Sequence, residues 1–367
     1  MKITIDAQPL LGQKCGVGYY ISGLVHGLGQ IDKKNEYRLS IFDFKRRASK
    51  IALPGPNFKI QKSLVPGRLA SLVWKKYSWP SYNSFFGNSD VYHFPNFIIR
   101  PLKKGKKVVT IHDVSFLRHP EFTEPKNLKF LNSKIRETLD QADRIIVDSS
   151  FTKNELLSFF KIPQERVHVV HLGLDSRFKP SSVPKKPIIL FVGTIEPRKN
   201  LETLFKAFEI FLNRTKRFDF TLLIAGMKGW LYDGIFKSLE NNLHRDKIKF
   251  LDYVSEEDLP LLYQTASLFV YPSFYEGFGL PPLEAMACGI PVIASKSGSL
   301  PEVLGNAAEW IDSNDIDGLA LAIEKILGSA NVRDAYVRKG IEQAKQFRWE
   351  KAAEETVQIY HRAMNGT

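Results

Sequence analysis

The sequence predicts an α/β fold made of two doubly wound, parallel-sheet domains facing across a cleft. Three observations carry this. The chain has 367 residues, which exceeds one ordinary core and suits two domains of ~150–200 residues. Short apolar runs of β type alternate with helical patterns along the whole length, and strands separated by helices imply parallel sheets covered on both faces. The alternation breaks once, at the Pro-, Ser- and Lys-rich stretch SRFKPSSVPKKP, which reads as a linker. The expected layout is a first domain at 1–175, a linker at 176–187, a second domain at 188–346 and a terminal helix at 347–367.

In the first half the strands are expected at Lys2–Ile5, Tyr37–Phe42, Val91–His93, Lys107–Ile111, Arg144–Val147 and Val167–Val170. Helical patterns lie between several of them, at Tyr19–Gly29 and Pro125–Ala142, and in SSFTKNELLSFF, which opens with serine caps. In the second half PIILFVG, FTLLIAG, IKFLDYV, ASLFVYPS and IPVIAS read as strands, and Asn200–Asn213 as an amphipathic helix. In such sheets, ligands bind beyond the C-terminal ends of the strands. The residues that follow each strand are therefore where chemistry is sought.

Composition excludes several classes. With 44% hydrophobic and 25% charged residues the chain is neither disordered nor of low complexity. No apolar run approaches the ~20 residues that span a bilayer, and MKITIDAQPLL reads as a first strand, not a signal peptide. Cys15 and Cys288 are far apart and fit no metal spacing, so a reducing, cytoplasmic setting is expected. The net charge of +13 is uneven: residues 1–180 carry 30 Lys/Arg against 15 Asp/Glu, and the remainder 22 against 24. That excess reads either as a solubility feature or as a surface that meets an anionic partner. A nucleic acid is not expected, since no aromatic RNA-binding pattern, zinc finger or basic tail is present. In Arg68–Trp79, Leu69, Leu72, Val73, Tyr77 and Trp79 share one arc at ~100° per residue, with Lys76 inside it. A packed surface helix and a membrane-contacting one both fit.

The densest constellation follows ASLFVYPS: Phe274-Tyr275-Glu276-Gly277-Phe278-Gly279-Leu280-Pro281-Pro282-Leu283-Glu284. The glycines allow close backbone approach, the prolines suit a first helical turn and Gly289 suits a stop. The N–H groups around Gly277, Phe278, Gly279 and Leu280 then lie at a helix N-terminus, a ready anion site. Glu276 and Glu284 can face the same side. An anion site with two carboxylates suits a nucleotide sugar.

These residues resemble the retaining GT-B glycosyltransferases of family four, also called group 1, whose Glu-x7-Glu motif Glu276 and Glu284 reproduce. FVGTIEPRKNLETLFKAF, FLDYVSEEDLPLLYQTASLFVYPSFYEGFGLPPLEAMACGIPVIAS and FRWEKAAEETVQIY are similar to that family in order and spacing. The resemblance implies two Rossmann-like domains, with Glu276 contacting the donor sugar and Glu284 the ribose. It implies a terminal helix that packs back on the first domain. Family members often carry Arg after the first glycine of the second domain. Here Thr194 stands there, which leaves the diphosphate to Lys199 and Arg198.

The resemblance also implies a glycine-rich donor or acceptor loop at Gly16 and Gly18, and a functional histidine at His112 that hydrogen-bonds the sugar or its developing charge. Asp113 and Ser149 are candidates for acceptor contact or loop orientation, although a helix N-cap suits Ser149 better. Asp315-Ile316-Asp317 has the spacing of a metal-binding motif but precedes a helical stretch, where a cap suits it. No cofactor or essential metal is expected. The implied reaction is hexosyl transfer with retention, GDP-mannose being the leading donor in surface polysaccharide (O-antigen) synthesis. The implied acceptor is a lipid-linked saccharide at the inner face of the cytoplasmic membrane, where the enzyme would be peripheral. UDP-sugar transfer, nucleotide-sugar 2-epimerisation and a non-catalytic binding subunit are the competing readings.

Overall fold

The computed structural model describes residues 1–12, 16–48 and 51–366. Cys15 lies outside them, and Cys288 is buried and free. The chain divides into two compact units. One comprises Met1–Asp113, Phe130–Gly173 and the residues from Arg348 on, and the other Val114–Lys129 with Leu174–Phe347. Two segments thus group differently from the expected layout. Val114–Lys129 belongs with the second unit, and so does the stretch read as a linker. The latter lies along the helix Leu259–Thr265, with Lys186 N–H donating to the Thr265 carbonyl at 2.8 Å and Gln264 donating to the Lys179 carbonyl at 2.9 Å.

Among the described residues, the first unit holds strands β1 (Lys2–Asp6), β2 (Glu36–Phe42), β3 (Phe58–Ser63), β4 (Val91–Phe94), β5 (Lys106–Ile111), β6 (Arg144–Val147) and β7 (Val167–Val169). They form one parallel sheet in the order β3-β2-β1-β4-β5-β6-β7. The second unit holds β8 (Ile188–Val192), β9 (Thr221–Ala225), β10 (Ile248–Phe250), β11 (Leu268–Tyr271), β12 (Val292–Ser295) and β13 (Ala308–Ile311). They too are parallel, in the order β10-β9-β8-β11-β12-β13. Both sheets reverse direction of growth beside their first strand, as doubly wound sheets do. Strands β4, β6, β11 and β12 are buried at every residue, the mark of parallel strands covered on both faces.

Two strands go beyond the sequence reading, β3 and β13. Gly16-Val17-Gly18 also differs from expectation. These residues are not a loop before the first helix but its first turn, within the helix Gly16–Ile31. The chain reverses earlier, through the short 3₁₀ turn Gln8–Leu10 and Gly12, whose φ is +100°. The terminal helix Trp349–Asn365 packs on that first helix. The contact requires glycine: a Cβ on Gly23 would fall 2.0 Å from the Trp349 ring, and one on Gly27 would fall 2.4 Å from the Trp349 carbonyl oxygen.

Candidate active site

In the second unit the site grows from the ends of β8 and β11. After β8 the chain turns through Glu196 and the 3₁₀ segment Pro197–Lys199, then Asn200 in the left-handed region starts the helix Leu201–Thr215. After β11 comes the loop to Gly279, whose φ of +100° makes it the N-cap of the helix Leu280–Ala287. The prolines occupy the first turn and Gly289, at φ +71°, follows the end, as the residue order implies.

These two loops meet through charge. Lys199 is buried and its Nζ donates to Glu276 Oε1 at 2.6 Å and to the Tyr271 hydroxyl at 2.8 Å. Arg198 donates from Nη1 to Glu276 Oε2 at 3.2 Å and to the Tyr275 carbonyl at 2.7 Å, and from Nη2 to Glu196 Oε1 at 2.7 Å. Burial alone would raise the Glu276 carboxyl, but Lys199 and Arg198 outweigh it and hold it down at about 2. Burial and the neighbouring Arg198 lower the Lys199 ammonium, against the pull of Glu276. Two carboxylates thus balance two cations, and Glu196 Oε2 is buried with no hydrogen-bond partner. Lys199 has three ammonium protons, of which these contacts use two.

A second loop fixes Glu276 in place. Ser299 donates from its backbone N–H and from Oγ to the Glu276 carbonyl, both at 3.0 Å, and Oγ also lies 2.9 Å from the Phe278 carbonyl. Gly298, at φ +58°, lies flat against this turn, where a Cβ would fall 2.5 Å from the Glu276 carbonyl oxygen and 2.6 Å from its nitrogen. Glu284 sits one turn into the helix and receives the Tyr263 hydroxyl at 2.9 Å. Burial raises its carboxyl to about 7, Tyr263 and Arg177 working against that and Asp175 with it. Gly277, Phe278 and Gly279 are buried beside Glu276, and Leu280 is half-buried.

In the first unit a different set collects at the ends of β5 and β6. His112 follows β5, and its Nδ1 lies 2.7 Å from Asp148 Oδ2, while Nε2 lies 3.0 Å from the Pro95 carbonyl. Both ring nitrogens face acceptors, which suits a ring carrying two protons. Burial disfavours that charge, but the Asp148 carboxylate and the Pro95 carbonyl prevail and raise the imidazole pKa. The Tyr20 ring abuts His112 edge-on at 4.8 Å. Beneath it, Thr110 Oγ1 bonds Tyr20 at 3.0 Å and His93 at 2.8 Å, and His93 reaches Tyr360 of the terminal helix at 2.8 Å. Burial, then the nearby His112, drives His93 down to about 3, so it is neutral.

The remaining predicted residues fall as follows. Asp113 is next to His112 and half-buried. Ser149 is fully buried and caps the helix Ser150–Phe159, its Oγ accepting from Thr152 N–H at 3.1 Å. Gly16 is exposed, and a Cβ there would meet nothing within 4 Å. Gly18 is buried in the helix. Asp315 caps the helix Ile316–Gly328 by accepting from Gly318 N–H at 2.8 Å. Among the described residues no three His, Cys, Asp or Glu side chains group to hold a metal ion, and no helix is long and apolar enough to cross a membrane.

Sequence reasoning missed Asp148, Glu196, Tyr263, Tyr271 and the Gly298–Ser299 clamp. Asp148 was within reach, since it directly follows β6 and the residues after strands were those to inspect. The tyrosines carry no such signal, because each belongs to an ordinary apolar run.

Comparison with known proteins agrees with this architecture. The family described as "Glycosyl transferases group 1" matches residues 174–343, and "Glycosyltransferase Family 4" matches residues 48–178. O-antigen chain mannosyltransferase B of Escherichia coli is 37% identical, over 98% of this chain and 99% of its own. Among solved structures, sucrose-phosphate synthase from Thermosynechococcus elongatus superposes with a TM-score of 0.79 at 20% identity, covering all of both chains. The Anabaena HepE protein in complex with UDP and glucose does so at 0.72 and 17%, over 98% of each. These two likenesses show the fold, and the 37% match along the full length shows the family: the chain belongs to the family 4, group 1 glycosyltransferases, with two Rossmann-like units of the GT-B type, and is a glycosyltransferase.

Proposed function

We propose that this enzyme moves a mannosyl group from GDP-mannose to a lipid-linked saccharide, with retention at the anomeric carbon and without a resident metal. The observation that carries the sugar assignment is the full-length match to a protein named O-antigen chain mannosyltransferase B. The buried cluster around Glu276 supplies the chemistry. Lys199 and Arg198 meet the diphosphate, together with the helix N-terminus at Gly279. Glu276 accepts from sugar hydroxyls and Glu284 from the ribose.

In the reaction the bond from the anomeric carbon to the phosphate oxygen breaks, and its electron pair stays on the diphosphate. The acceptor hydroxyl oxygen bonds the anomeric carbon on the same face, and its proton passes to the departing phosphate oxygen. The cations act by stabilising charge that develops on that oxygen. His112 bears on the sugar as a cation rather than as a base, since both of its nitrogens face protein acceptors, and Asp148 is the residue that positions it.

The test is a donor panel. GDP-mannose should support transfer to a lipid-linked saccharide, with product retaining the donor's anomeric configuration by NMR, in the presence of excess EDTA. Transfer from a UDP-sugar and not from GDP-mannose would remove the donor assignment. EDTA inhibition reversed by Mn²⁺ or Mg²⁺ would remove the metal-free one.

A further inference from the structure

We propose that the ridge from Leu64 to Trp79 in the first unit is a docking surface for an anionic lipid bilayer. It is a built feature of the fold. The helix Gly67–Lys76 is held on the body through the face that carries Gly67, Ala70 and Trp74. Ala70 is buried, Trp74 packs against Phe42, Tyr82 and Phe85, and its indole N–H donates to the Pro80 carbonyl at 2.6 Å. Gly67 lies against Phe42, where a Cβ would meet that side chain at 3.1 Å.

At ~100° per residue the opposite face carries Arg68, Leu69, Leu72 and Lys76. All four are exposed. The apolar arc that the sequence shows is therefore not what anchors this helix. Leu69 and Leu72 keep 54% and 61% of their surface in solvent, and the flanking Leu64, Tyr77 and Trp79 keep 58%, 57% and 68%. A run of large apolar side chains left uncovered in one stretch marks an interaction surface.

Charge selects the partner. Between Asp43 and Asp90 the sequence has nine Lys or Arg and no Asp or Glu. Two of these cations interleave with the leucines on the outward face, and Lys45, Arg46, Arg47 and Lys62 are exposed in the preceding segments. Leucines and an indole among cations, on a helix lying along the surface, fit acyl chains beneath anionic headgroups. The long stems of Arg68 and Lys76 let their charges reach the headgroups while the leucines insert.

The test uses the full chain and vesicles. Wild-type protein should sediment with phosphatidylcholine vesicles containing phosphatidylglycerol. Pure phosphatidylcholine, or high salt, should weaken partitioning at least tenfold, on the order expected from several surface cations. L69E/L72E should lose that partitioning by a similar factor while keeping its thermal midpoint, because both positions are exposed. R68E/K76E should weaken binding to the anionic vesicles only. Wild type that ignores anionic vesicles, binds neutral ones equally well, or loses nothing in L69E/L72E overturns the proposal. So does a soluble dimer that L69E/L72E dissociates, which would make the ridge a contact between copies. Transfer to a short, lipid-free acceptor should be unchanged in L69E/L72E. If wild type transferred no mannose to a lipid-linked acceptor either, the mannosyl assignment would fall and the vesicle result would still decide the ridge.

Discussion

Glu276 and Glu284 stand eight residues apart, one in the loop before a helix and one inside it, yet their surroundings shift their carboxyls in opposite directions. Glu276 is enclosed by Lys199 and Arg198 and is held down at about 2. Glu284 has one tyrosine hydroxyl and is pushed up to about 7 by burial. Motif spacing pairs the two carboxyls in sequence, but it does not say which is ionised. That depends on whether a cation from another loop reaches the carboxyl. Glu276 is a permanent anion held by the enzyme's own cations, and Glu284 is a group whose proton a ligand can displace near neutral pH.

The largest effect is expected from removing that contrast. In K199M, Glu276 stays buried with only Arg198 beside it, and its pKa should rise. Breaking a buried pair from one side costs about 3–5 kcal/mol. Transfer should fall more than a hundredfold, measured with denaturant unfolding on the same sample; turnover near wild type would show that Lys199 has no part in the chemistry. The sign of its acid dependence also follows. A lowered carboxyl pKa stabilises the fold above the unfolded value of 4.5 and loses that stabilisation as pH falls toward 2. That component should be smaller in K199M, where Arg198 alone remains to lower the carboxyl.

G298A attacks the same glutamate through its backbone. The new Cβ cannot be relieved by a side-chain rotation, since what it meets is main chain. A loss of about 2 kcal/mol in stability is expected, with donor affinity down at least tenfold by calorimetry, on the same estimate. Unchanged donor affinity would mean that the turn at Glu276 is not where the donor binds.

The first unit offers a third case, Asp148, a buried carboxylate paired with a titratable partner. The raised His112 pKa stabilises the fold fully below the unfolded value of 6.5 and loses this as pH rises through the folded value. Burial raises the Asp148 carboxyl as well, so D148N should be less stable than wild type at mildly acid pH, where Asp148 is ionised and His112 protonated, by about 1–3 kcal/mol, with the gap closing as pH rises. Its pH–rate profile should shift to lower pH. A gap independent of pH would reduce Asp148 to a packing role. The smallest effect is expected for E284Q. A raised carboxyl pKa costs stability as pH climbs from 4.5 through 7. The variant should then be more stable than wild type above pH 7, by about 1–2 kcal/mol since this half-buried group is partly screened, and equal to it at pH 4.

Much of this was legible in the sequence, and the exceptions have physical causes. The buried central strands announce themselves as apolar runs. The two strands that escaped, β3 and β13, are edge strands of their sheets. Phe58–Ser63 carries two lysines and is buried only at its two ends, and Ala308–Ile311 keeps a glutamate and a half-buried tryptophan. An edge has one neighbour and more solvent, so its composition is less constrained. In the second unit Glu276 through Glu284 lie in one stretch that the sequence displays, and Arg198 and Lys199 reach it from the loop after β8. The first unit's site is assembled by tertiary contact: Pro95, His112 and Asp148 come from the ends of three different strands, and no local pattern names the partner of His112. Which face of the helix Gly67–Lys76 is covered was not readable either, because the sequence shows an apolar arc without showing which arc the body covers.

The claim on which the rest depends is that the nucleotide meets Glu284 and the Lys199–Glu276 cluster together. Calorimetric titration of GDP at pH 7, in two buffers of different ionisation enthalpy, tests it most directly. Ribose hydroxyls that donate to Glu284 favour its charged form, so binding should release a proton, in a fraction that falls away above pH 8 and disappears in E284Q. Binding of GDP that releases no proton at pH 7, and is equally tight in E284Q and K199M, would contradict the account.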